Sequence, residues 1–101
     1  MGVRPAPDAM KYILVSWHHE FKDEPALLYS ELDDDRWEVR KVEVYRDGRR
    51  DYANSTEATG STRLGEIPVP PLAEIAAAPE FDAEEISEHE FEEVWAKSYQ
   101  Q

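Results

Sequence analysis

The run from Leu32 to Ala53, LDDDRWEVRKVEVYRDGRRDYA, constrains what this chain can fold into more than any other stretch. Extended-looking segments flank Asp47-Gly48. An Asp-Gly step in that setting is a strong hairpin signal, because glycine reaches the positive φ of the turn and aspartate tolerates it. The run therefore predicts a two-stranded ribbon turning at Arg46 to Arg49. Its alternation is imperfect: Trp37, Val39 and Tyr45 share one parity, while Val42 and Val44 share the other. A pure period of two cannot bury all five, so either a bulge interrupts the ribbon near Arg40-Lys41 or the ribbon is covered on both faces.

The segments around the ribbon supply the rest of a sheet and its cover. Tyr12 to Trp17, YILVSW, is apolar on both parities, as expected of a strand in the middle of a sheet. Ala26 to Leu32 fits either period; a strand is favoured because Pro25 precedes it and the Asp33-Asp34-Asp35 loop follows. Asn54 to Ser61 has the composition of an exposed, flexible loop, and Thr62 to Gly65 adds a short edge. After Gly65 the pattern turns helical. Pro71 suits a first helical position, and Leu72, Ile75 and Ala76 form a short amphipathic turn ended by Pro79. Asp82 to Glu85 repeats a helix-start signal. Ser87 and Glu90 make a capping box, with Ile86 and Phe91 at the staple positions. Phe91, Val94, Trp95, Ser98 and Tyr99 then share one side of a last helix, whose outer face carries Glu88, Glu92 and Glu93. The expected class is α+β: a small antiparallel sheet of three to five strands with C-terminal helices packed on one face. Residues 1–9 read as a flexible arm and 10–101 as a single domain, with Met10 a candidate natural start.

Charge narrows the function classes. The 101 residues hold 11 basic and 23 acidic side chains, a net charge of -12, which repels nucleic-acid phosphates and anionic membrane surfaces. Residues 66–101 alone carry 10 acids and one base, so the acidic pole lies there. With no cysteine, neither a disulfide framework nor a thiolate zinc site is available. No hydrophobic signal core or membrane-length apolar run is present, and the expected location is cytoplasmic.

Candidate chemistry is sparse. His18, His19, Glu20 and Asp23 are metal-ligand types, but adjacent histidines on a strand point to opposite faces, so no metal site and no cofactor is expected. The Asp33-Asp34-Asp35 run lacks the spaced ligands of a calcium loop. There is no nucleophile elbow and no glycine-rich phosphate cradle, and no catalytic residue is assigned. The set Arg36, Trp37, Glu38 and Arg40 is more informative. If Arg36, Glu38 and Arg40 share a strand face, they form either a self-neutralising ladder or a planar grip for an anion, with Trp37 or Tyr52 as a flat platform. Arg46, Arg49 and Arg50 make a basic tip around the turn.

KYILVSWHHEF, DEPALLYSELDDDRWEVRKVEVYRDGR, TRLGEIPVPPL and EEISEHEFEEVWAKS together resemble a widespread bacterial family of small acidic proteins, a domain of unknown function. The resemblance spans about Met10 to Lys97 and is most specific at Tyr29 to Asp33, Arg36 to Glu43 and Leu64 to Leu72. It implies a folded unit beginning at Met10 and transfers no catalytic residue, cofactor or partner.

Two function classes follow. The first is a non-enzymatic protein-protein interaction module, in its sharpest form an immunity or antitoxin-like neutraliser that meets a basic partner through Glu88, Glu92 and Glu93, with Trp37 as an anchor. The second is a domain that binds a small anionic ligand or nucleotide at Arg36 and Arg40 beside Trp37 or Tyr52, with or without turnover.

Overall fold

The computed structural model describes residues 10–99, so the arm expected at residues 1–9 lies outside them. Five strands form one antiparallel sheet: β1 (Lys11–Trp17), β2 (Leu27–Leu32), β3 (Glu38–Val44), β4 (Arg50–Ala53) and β5 (Phe81–Ile86), in the order β4-β3-β2-β1-β5. A short helix α1 (Leu72–Ala76) precedes β5, and α2 (Glu88–Tyr99) follows it. The first four strands are the expected meander. The fifth returns beside β1, giving the YILVSW strand a neighbour on either side.

Both explanations for the ribbon's broken alternation hold together. Glu31 pairs with Arg40 while Leu32 pairs with Glu38, so Val39 is the extra residue of a bulge. The sheet is also covered on both faces. Tyr12, Ile86 and Phe91 form a core beneath α2, joined by Leu14, Tyr29 and Trp95. Ile13, Val15 and Leu32 form the other, joined by Val69 and by Leu72 and Ile75 of α1.

Local chemistry sets the turns. Gly48 at φ 92 closes the hairpin, where the Tyr45 N–H donates to Arg49 O and the Gly48 N–H to Tyr45 O. At the β2–β3 turn, Asp33 Oδ1 accepts from the N–H groups of Asp35 and Trp37, which is the work the acidic run does here. The Ser87 box is formed: Ser87 Oγ accepts from the Glu90 N–H at 3.0 Å, and Glu90 Oε1 from the Ser87 N–H at 3.5 Å.

Two segments differ from the sequence reading. Asp82 to Glu85 belongs to β5 and starts no helix, because pairing with β1 supplies its backbone partners. Thr62 to Gly65 forms no edge strand. The edge of β4 is met instead by its own loop: the Thr59 N–H donates to Tyr52 O, Thr59 Oγ1 accepts from the Tyr52 N–H, and Ala53 bridges Ala58. Asn54 Oδ1 ties that exposed loop together by accepting from the Thr56 and Glu57 N–H groups. The outer edge of β5 has no such cover, since among the described residues β5 pairs with β1 alone.

Candidate functional site

β3 carries Arg40 onto the α2 face, and α2 lays Phe91 and Trp95 over it. Four of the five guanidinium N–H donors are then used. Nε and Nη2 donate to Glu31 at 2.6 and 3.1 Å, and Nη1 and Nη2 to Glu92 at 3.2 and 2.6 Å. Its carbon lies 4.9 Å from the Phe91 ring centre and 5.0 Å from that of Trp95. Tyr12 donates its hydroxyl to the same Glu31 carboxylate at 3.0 Å. Burial works against the charge of Arg40, but hydrogen bonds and Coulombic attraction from Glu31 and Glu92 outweigh it and raise its pKa. Burial first, then the bond to Glu31, raises that of Tyr12. This is a bolt between sheet and helix that leaves a single Nη1 N–H, too few for a bidentate grip on an anion.

Arg36 and Arg40 do not share a strand face. Arg36 sits in the β2–β3 turn at φ 67, a left-handed conformation uncommon for a side-chain-bearing residue. Its Nε donates to Val69 O at 2.8 Å and Nη2 to Pro70 O at 2.7 Å, while its own carbonyl accepts from the Val69 N–H. It latches the proline-rich segment to the turn. The bulge at Val39 turns Glu38 to the face opposite Arg40, which breaks the expected ladder of alternating charge. Trp37 is 41% exposed at that turn. Tyr52 is elsewhere, edge-on to Trp95 and Tyr99 with ring centres 5.3 Å from each. Of the three helix acids, Glu88 and Glu93 face outward, but Glu92 turns in to Arg40.

A cleft of about 340 Å³, which no local pattern of residues marks, lies on the other face, floored by Ile13, Val15, Leu28 and Val69 and walled by Ser30, Glu38, Lys41 and Glu43. Its polar groups bind one another. Glu38 accepts from Ser30 Oγ and from the Gly65 N–H, Lys41 Nζ lies 3.1 Å from Glu38 and donates to Arg63 O, and Glu43 accepts from Thr62. These contacts hold the 60–65 loop against the sheet, and their partners lie 19 to 27 residues away for Glu43, Lys41 and Glu38. Periodicity cannot register contacts of that range.

The remaining polar surface is acidic. Asp82 and Glu84 on the α2 side of β5 adjoin Glu88, Glu90 and Glu93 at the start of α2, all exposed. Burial raises the pKa of Tyr29, and the charges of Glu90 and Glu84 raise it further, so these two carboxylates converge from different elements on one phenol. An aromatic cluster lies toward the other face of the sheet, where Trp17 pairs with Phe81. Phe21, 62% exposed, stacks on His19 at 5.4 Å, and Trp17 lies 4.2 Å from His19 and 6.0 Å from Phe81. The two histidines diverge, as their adjacency implies. His18 Nε2 is 2.6 Å from Asp82 Oδ2; His19 accepts from the Phe21 N–H at Nδ1 and so carries its proton on Nε2, toward Pro25 O. Among the described residues no group of three or more His, Asp or Glu side chains is arranged to hold a metal ion.

No helix among the described residues is long and apolar enough to cross a membrane. No curated protein and no solved structure matches the chain. The family described as Domain of unknown function (DUF6881) matches it over residues 11–100, nearly its whole length, and the chain belongs to that family.

Proposed function

We propose that the domain is a non-enzymatic binding module that captures a basic protein partner, in the manner of an immunity or antitoxin-like neutraliser. The observation that carries this reading is the band of exposed carboxylates from β5 and α2. A one-signed surface steers an oppositely charged partner, and an exposed aromatic ring that the partner covers can anchor the complex once formed, for which Phe21 is the candidate. The alternative, an anion held by Arg36 and Arg40, would have to break the contacts of Arg40 with Glu31 and Glu92 and those of Arg36 with Val69 and Pro70.

The geometry also chooses the test. Reversing Glu92 would take one of its two carboxylate partners from Arg40 and set a like charge beside it, so the informative variant is Glu84→Lys/Glu88→Lys/Glu93→Lys. For a partner isolated by affinity capture, the triple variant should lower the association rate by about tenfold or more at low salt. Phe21→Ala should raise the dissociation rate by about tenfold. Trp37→Ala tests the second exposed ring in the same way. A captured partner that is itself acidic, or an association rate unmoved by the triple reversal, would overturn the proposal.

A further inference from the structure

Arg50 stands apart from the other arginines of the fold. Arg36 and Arg63 donate to carbonyls, Arg40 is held by two carboxylates and Arg49 by Asp47. Arg50 is partly buried, and among the described residues its Nε is shielded from solvent without a hydrogen-bond partner and no ion pair includes it, although acids outnumber bases by 23 to 11 in the sequence. A buried N–H left without an acceptor loses its hydration and gains nothing in return.

Its surroundings suggest what it is for. Arg50 pairs with Val44 across β3–β4 and lines a cleft of about 300 Å³ between the sheet and α2. Leu27, Tyr29, Val44 and Val94 give that cleft its largely apolar walls, and Glu90, Glu93 and Lys97 line it from the helix. Neither carboxylate comes within ion-pairing distance of Arg50; Glu90 engages the Ser87 N–H, and Glu93 lies 3.6 Å from His89. The cleft therefore offers a planar cationic fork, a hydrocarbon wall and a helix wall on which two carboxylates outnumber one ammonium.

We propose that this cleft binds a free amino acid with an aliphatic side chain: its carboxylate on Arg50, its ammonium toward Glu90 and Glu93, its side chain against Leu27, Val44 and Val94. A carboxylate fits the guanidinium edge in bidentate fashion. A plain anion would meet the two glutamates and the net charge of -12, whereas a zwitterion answers both walls and carries no net charge into that field. The site shares Glu90 and Glu93 with the acidic band, but its occupant does not depend on the partner-binding proposal.

Titration of isotope-labelled protein with L-leucine, followed by NMR, tests it. Leucine at millimolar concentration should shift the Arg50 Nε–H resonance and the methyls of Leu27, Val44 and Val94. Leucinamide, which lacks the carboxylate, and 4-methylpentanoate, which lacks the amine, should each bind about tenfold more weakly or worse. Arg50→Met should abolish the methyl shifts while keeping the amide spectrum of a folded chain; if it does not fold, Arg50→Lys, which keeps the charge and loses the fork, should weaken binding by about tenfold. Unmoved resonances with leucine, equal binding of 4-methylpentanoate, or undiminished binding by the folded arginine variant would each overturn the assignment.

Discussion

Arg40 shows how one residue can be read correctly for its chemistry and wrongly for its use. A guanidinium near aromatic rings suggested an anion grip, but its acceptors, Glu31 and Glu92, are nine and 52 residues away in the chain. Nothing local announces them. Removing one partner of a buried pair strands the other, so Arg40→Met should destabilise the protein by about 3 kcal/mol in urea unfolding. The double variant Glu31→Gln/Arg40→Met should recover most of that, since glutamine is neutral and still accepts from Tyr12. A double variant no more stable than the single one would mean that Glu31 is not the stranded charge. Tyr12 gives the same site a pH dependence. Its folded pKa is raised, so below the unfolded value of about 10 both states hold the proton and stability is at its full value. As pH rises beyond that, the unfolded chain releases the proton and the folded one keeps it, so stability falls by about 1.4 kcal/mol per pH unit on account of this group. Tyr12→Phe should flatten the alkaline decline by about that slope in denaturation curves recorded above pH 10.

Among the elements, those whose signal is local were legible and those defined by a distant partner were not. The β1 run, the Asp-Gly hairpin and the Ser87 box each specify themselves within a few residues. FDAEEI could pass for a helix start because its acids imitate a first turn, and only the presence of β1 makes it β5. The candidate site suffered more than the fold: the bulge at Val39 put Glu38 and Arg40 on opposite faces, and one inserted residue is enough to do that. Helix α2 permits a graded test. Phe91 is fully buried against Tyr12, whereas Trp95 is partly buried, stacking on Tyr99 at 5.6 Å and lying over Arg40. Trp95→Ala should cost about 3 kcal/mol and Phe91→Ala about 4 kcal/mol. A thermal melt that either leaves unchanged would mean that α2 contributes little to the core.

For the whole molecule, the two edges of the sheet are unequal. The β4 edge is met by the Asn54–Thr59 loop, and the β5 edge is bordered by Asp82, Glu84 and Glu85. An unpaired strand edge is a template for another chain, and like charge is one of the ways proteins keep it vacant. High salt screens that like charge, and the repulsion between two β5 strands fades. Light scattering under those conditions should detect self-association, and reversing the acids to lysine at low salt should not reproduce it. Because only one border of each molecule can accept a neighbour, two chains meeting β5 to β5 about a twofold axis use up both open borders. Sheet-to-sheet growth then ends at a pair, and this architecture has no route from the folded state to an endless ribbon.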